Sequence, residues 1–127
     1  MGKLRKILIV DDEEDLRKTL CEFLEEKGYK TVEARSGEEA IQKVKENGFQ
    51  IIFMDIKLQG MNGAETYKFI KKIDPKTRTV MMTGYAVEDL VNEAIENNAY
   101  CCLYKPFVLN QVLTTIEQIS AGVKKPD

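Results

Sequence analysis

The chain has 127 residues, 43% hydrophobic and 31% charged, and its 21 acids against 19 bases leave a formal net charge of -2. That size holds one domain with a core of its own and leaves no room for a second of ordinary length. The charge balance gives no electrostatic reason to expect nucleic acid or an anionic membrane as a partner, and no apolar run approaches the roughly 20 residues that span a bilayer. Lys3, Arg5 and Lys6 precede only a short apolar run and then acids, so no signal peptide is read and a cytoplasmic protein is expected. Histidine is absent, which removes the usual general base and the commonest metal ligand. The three cysteines, Cys21, Cys101 and Cys102, lack the spacing of a disulfide framework or a thiolate zinc site.

The first apolar run, at 7–10, predicts a strand that stops at Asp11 and Asp12. Residues 13–27 predict a helix whose buried stripe is Leu16, Leu20, Phe23 and Leu24, with Gly28 stopping it. A second strand at 30–34 leads to Ser36, which stands three residues before Glu39 in capping-box spacing, and Ala40, Ile41 and Val44 give the next helix its inner face. A third strand, 51–54, stops at Asp55. The loop 56–62 then feeds a helix that ends near Asp74, because Pro75 cannot continue it. The strand 79–83 ends on Thr83 and is followed by a helix with Leu90, Val91, Ala94 and Ile95 inward. The fifth strand, 101–104, stops at Lys105, and Leu109, Val112, Leu113, Ile116 and Ile119 mark the last helix.

Strands alternating with helices call for a parallel sheet covered on both faces, and parallel connections are right-handed. Five such units predict an α/β fold: a doubly wound, flavodoxin-like (βα)5 three-layer sandwich with its five-stranded parallel sheet in the order 2-1-3-4-5. The domain is expected over 1–121, with 122–127 as a tail or the start of a linker.

In that order the strand ends bearing Asp11, Asp12 and Asp55 flank the switch point where ligands sit in open α/β sheets. Singly, each residue has a bland reading: Asp12 as a helix cap, Asp55 as a turn residue, Thr83 as a strand-end hydroxyl, Lys105 as a surface amine. Together they place acids, a hydroxyl and an amine at the same rank of four βα units. Three crowded carboxylates need a compensating cation, and hard oxygen ligands without histidine favour Mg²⁺. With the metal and Lys105 the crevice becomes a site for phosphoryl transfer. Asp55, alone at its strand end, is the expected nucleophile and forms an aspartyl phosphate, while Asp11 and Asp12 suit the metal. Thr83 and Lys105 would each grip a phosphoryl oxygen, and the bond to Pro106 is a candidate cis peptide.

Asp11-Asp12 after Ile-Leu-Ile-Val, Met54-Asp55-Ile56 with Gly60 and Gly63 downstream, Met82-Thr83-Gly84, and Lys105-Pro106-Phe107 jointly resemble the receiver domain of two-component response regulators, over about residues 5–119. The resemblance implies that Asp55 is the phosphoacceptor for a sensor histidine kinase or phosphotransfer protein. It also implies Mg²⁺ held by Asp12, Asp55, the backbone carbonyl of Lys57 and, partly through water, Asp11. Phosphorylation would remodel the face of the fourth helix, fifth strand and fifth helix, through which a homodimer is also open. The downstream effector or covalently attached output domain is unspecified, and neither nucleic acid nor membrane is bound by the domain itself. Such a domain promotes its own phosphorylation and dephosphorylation and turns over no separate substrate.

Four departures from the family pattern stand out. Cys102 replaces the aromatic usual three residues before the lysine, and strand alternation from Tyr100 through Cys102 to Tyr104 makes Tyr104 or Tyr100 its expected substitute. Gln59 stands where proline is usual, and Val108 replaces a capping Asp or Ser. Lys57 and Tyr85 hold the positions that tune phosphoryl lifetime in the family. The missing aromatic keeps a second reading open, a pseudo-receiver or constitutive protein-binding module that is not phosphorylated. A D-x-D hydrolase and an FMN-binding flavodoxin fit less well: the first loop reads Asp-Asp-Glu and lacks the small hydroxyl and glycine residues of a phosphate cradle.

Overall fold

The computed structural model describes residues 6–84 and 87–124; Tyr85 lies outside the described residues. Five strands, β1 (Lys6–Val10), β2 (Lys30–Ala34), β3 (Ile51–Asp55), β4 (Arg78–Thr83) and β5 (Cys101–Tyr104), alternate with five helices. These are α1 (Glu14–Glu26), α2 (Gly37–Glu46), α3 (Gly63–Ile73), α4 (Glu88–Glu96) and α5 (Leu109–Ser120). All pairings are parallel and the order is β2-β1-β3-β4-β5, as the βα rhythm predicted.

The central strands read as unbroken apolar runs because both of their faces are covered. Ile7 through Val10 and Ile51 through Met54 have no solvent exposure at all. Alternate side chains feed two cores. Leu8, Val10, Ile52, Met54 and Met81 pack with Ala40 and Val44 of α2, Tyr67 and Ile70 of α3, and Val91 and Ala94 of α4. Ile7, Ile9, Ile51, Phe53, Val80 and Met82 pack on the other face with Leu20 and Leu24 of α1 and Val112 and Ile116 of α5.

Local signals explain most boundaries. Gly28 takes φ +94°, a left-handed conformation that glycine adopts without strain, and so ends α1. Asn62 and Glu65 form a reciprocal capping box at α3, each side chain bonded to the other's main-chain amide. Two expectations need correction, and one bland alternative falls away. The Ser36 side chain accepts from the Glu39 amide, but the Glu39 carboxylate takes the Arg35 amide, so the α2 box closes one residue early. Asp12 does not cap α1; the cap position falls on Glu13, whose side chain makes no capping bond and whose amide donates to Oδ1 of Asp11 instead. Finally, β5 begins at Cys101, so strand alternation does not reach back to Tyr100. Cys102 packs with the α2–α4 core, whereas Tyr100 belongs to the core of α1 and α5, and its hydroxyl donates to the Val123 carbonyl.

Candidate functional site

Parallel register brings the strand ends together. Beyond β1 the Asp11 amide continues the ladder to the Ala34 carbonyl at the end of β2; the Ile56 amide bonds Met82 and the Lys105 amide bonds Thr83. β3 thus delivers Asp55 next to the end of β1, and β5 delivers Lys105 beside the end of β4. Gly63, at the start of α3, lies so close behind this edge that an added Cβ would collide with the Asp55 carbonyl and sit 2.8 Å from Cα of Ile56.

The Lys105 ammonium is the hub. Its Nζ lies 3.0 Å from Asp11 Oδ2, 3.0 Å from Asp55 Oδ2 and 3.1 Å from Glu13 Oε1, so each of its three protons has a carboxylate acceptor. The second oxygens of the two buried acids are held by main-chain amides: Asp11 Oδ1 by Glu13 at 2.8 Å and Asp55 Oδ1 by Lys57 at 2.9 Å. Asp11 is fully buried and Asp55 is 3% exposed, whereas Asp12 is exposed. Glu13 is the member that the sequence did not announce: one more acid in an acidic run, it read as part of a helix's first turn.

Burial dominates the electrostatics. It raises the carboxyl groups of Asp11 and Asp55 above the ordinary aspartate value, although amide bonds and Lys105 pull the other way. For Lys105, burial alone would favour the neutral amine, but the bonds to Asp11 and Asp55 outweigh it and hold the ammonium well above its usual range. Burial also pushes the thiols of Cys101 and Cys102 up, to about 11 and about 12, which favours the protonated thiol at neutral pH.

One carboxylate oxygen from each of Asp11, Asp12 and Asp55 lies within 4.8 Å of the others, close enough that the three could hold one metal ion. The donor set fits a hard divalent cation. All three ligands are oxygens, the bonded oxygens of Asp11 and Asp55 each retain a lone pair, and Lys105 alone cannot balance the carboxylates around it. A hollow of about 370 Å³ opens beside them, lined by Asp12, Glu13, Asp55, Lys57, Leu58 and Gln59. A second, of about 390 Å³, is lined by Thr83, Gly84, Val87, Glu88, Val91, Tyr104 and Lys105. Thr83 is fully buried at the end of β4, Tyr104 is 60% exposed, and the Lys105–Pro106 peptide is cis. Asp11, Asp12, Asp55 and Lys105 therefore meet in one site with Thr83 on the adjoining strand end, while Tyr100 faces the opposite layer.

This fold and this acid-and-lysine edge define a class, and residues 7–117 match the response regulator receiver domain model: the chain belongs to that family. It is 36% identical over 121 residues to the chemotaxis protein CheY of Thermotoga maritima, covering 94% of this chain and 99% of that protein. A CheY-like response regulator receiver domain protein from Methanospirillum hungatei superposes with a TM-score of 0.92 at 28% identity, over 95% of this chain and 97% of the other. A Burkholderia pseudomallei response regulator, solved with a phosphorylated aspartic acid, calcium ion and citrate, gives 0.81 at 26% identity, over 93% of this chain and 72% of that one.

Proposed function

We propose that this domain accepts a phosphoryl group on Asp55 and passes the event on as a surface change. The observation that carries the reading is Lys105: one ammonium bonded to Asp11, Glu13 and Asp55 draws together the ends of β1, β3 and β5. In the reaction a carboxylate oxygen of Asp55 attacks the phosphorus of the donor, a phosphohistidine of a sensor kinase or phosphotransfer protein. The new O–P bond forms as the P–N bond breaks, and the imidazole leaves with the electron pair. Asp11 and Asp12, with Asp55 and the Lys57 carbonyl, would hold Mg²⁺, which supplies charge neutralisation for the phosphoryl oxygens. Lys105 holds the Asp55 carboxylate in place beforehand and stabilises one phosphoryl oxygen afterwards, and the Thr83 hydroxyl serves another. The phosphorylated aspartate and calcium ion in the Burkholderia structure support the reading. No helix among the described residues is long and apolar enough to cross a membrane. Incubating the protein with Mg²⁺ and a small phosphodonor, then measuring intact mass, should show one added phosphoryl group in the wild type and none in Asp55→Asn; an unmodified wild type refutes the proposal.

Transmission runs through the α4–β5–α5 face. Cys102 offers no ring, but Tyr104 stands exposed at the rim of the hollow that also contains Thr83, Gly84 and Val91. Tyr104 takes over as the aromatic that follows Thr83 inward, and Tyr100 has no part, since it packs in the other layer. In NMR spectra, Tyr104→Ala is expected to reduce the phosphorylation-induced shifts of α4 amides by at least about half; full-size shifts in the variant would assign the transmission elsewhere.

A further inference from the structure

Arg17 of α1 is 5% exposed, on a helix face otherwise given to Leu20, Cys21 and Leu24. A buried guanidinium is costly unless its donors are matched. Here Nη1 donates to the main-chain carbonyl of Asp11 at 2.9 Å, and Nε donates to Oε1 of Glu33 on β2 at 2.7 Å. Asp11 is thereby pinned at every polar group: its amide to Ala34, its carbonyl by Arg17, and its two carboxylate oxygens by the Glu13 amide and by Lys105. Asp12 is different. It is exposed, and among the described residues no hydrogen bond reaches its carboxylate. What aims it is the peptide plane that joins it to Asp11, and the carbonyl of that plane is the one Arg17 holds.

We propose that Arg17 is a positioning residue for the acid pair, fixing the Asp11–Asp12 peptide so that the Asp12 carboxylate stays with those of Asp11 and Asp55. The inference rests on the reading of these acids as a cation-assisted phosphoacceptor site. Three carboxylates with oxygens inside 4.8 Å repel one another, Lys105 bonds two of them, and the exposed third, Asp12, is the one free to swing away. Arg17 opposes that swing from behind, and its planar fork makes two bonds to two different elements in fixed directions, which the single ammonium of a lysine cannot reproduce. Arg17 touches neither phosphoryl group nor cation in this arrangement; its effect passes through the main chain, like the outer partners that orient metal ligands elsewhere.

The test is Mg²⁺ affinity by isothermal titration calorimetry on the full chain, alongside urea midpoints that report folding. Arg17→Met should weaken Mg²⁺ binding by about tenfold or more. Arg17→Lys, which keeps the charge and most of the stem, should recover part of that loss. Glu33→Gln, which weakens the ion pair but leaves the bond to the Asp11 carbonyl, should stay within about twofold of wild type. Val112→Ala, a core truncation far from the acids, should lower the urea midpoint without changing Mg²⁺ affinity. Wild-type affinity in folded Arg17→Met overturns the proposal, as does a loss in Glu33→Gln equal to that in Arg17→Met, which would assign the effect to the ion pair. Should Arg17→Met fail to fold, Arg17→Lys decides: unchanged affinity overturns the proposal and weakened affinity supports it. A wild type that binds no Mg²⁺ overturns instead the reading of the site on which the proposal rests.

Discussion

At the scale of the residue, the site is held in a destabilised state by its own burial. Asp11 and Asp55 sit at 0% and 3% exposure with carboxyl groups raised above the ordinary value, burial being the main cause. An acid whose folded pKa exceeds its unfolded one favours folding while it is protonated. Its contribution is fully present below the unfolded value and is lost as pH rises through the folded value. At neutral pH each ionised carboxylate therefore weighs against the metal-free fold. Asp55→Asn removes one of these charges, keeps an acceptor for the Lys57 amide, and leaves Lys105 with Asp11 and Glu13. Without metal at pH 7 the variant should be more stable than wild type by about 1 kcal/mol in urea denaturation, with the difference shrinking as pH falls and the wild-type acids take up protons. A variant less stable than wild type at pH 7 would show that the Lys105–Asp55 bond outweighs the desolvation. The same residues show what the sequence could and could not reveal. Asp11, Asp12, Asp55, Thr83 and Lys105 were visible because each ends an apolar run, and strand ends converge by topology. Glu13 and Arg17 were not, because their partners, Lys105 and the Asp11 carbonyl, are decided by how a loop and a helix turn over that edge.

At the scale of the element, helices were legible where periodicity and caps agreed and less so where a side chain had a choice of partners. Ser36 and Glu39 had the right spacing, yet the Glu39 carboxylate found the Arg35 amide, one residue outside the box. Tyr100 had the right parity for the Cys102 face, but β5 starts after it, and parity carries meaning only within a strand. The α5 terminus keeps the defect that the sequence suggested. Val108 holds the cap position in an extended conformation, makes no side-chain capping bond and is 69% exposed. Its backbone is already suited to a capping side chain and its own side chain packs little, so Val108→Asp should stabilise the domain by about 1 kcal/mol, through a bond to a first-turn amide and a favourable charge at the helix N-terminus. Thermal unfolding reads the effect directly. No gain, or a loss, would mean that Val108 contributes apolar contact that outweighs a cap.

At the scale of the whole molecule, two well-packed cores carry an edge that repels itself. The sheet is buried on both faces through β1 and β3, so the strand ends cannot retreat from one another, and Lys105 is the one ammonium bonded among these acids in the described residues. A cation that binds only the folded edge must then appear as stability. Its contribution is RT ln(1 + [L]/Kd), about 2.7 kcal/mol at one hundred times Kd. Mg²⁺ should therefore raise the wild-type unfolding midpoint progressively with concentration, while equal ionic strength from a monovalent salt should produce much less, since screening acts weakly on buried charges. In Asp12→Asn and Asp55→Asn the Mg²⁺-dependent rise should largely vanish, even though Asp55→Asn starts from a higher metal-free baseline. That crossing of the two curves, with the variant more stable without Mg²⁺ and the wild type regaining ground as it is added, is the signature of an edge whose repulsion is kept by the fold and offset by a bound cation. Parallel curves would mean that the three carboxylates hold no metal and that Asp11 and Asp55 converge only on Lys105.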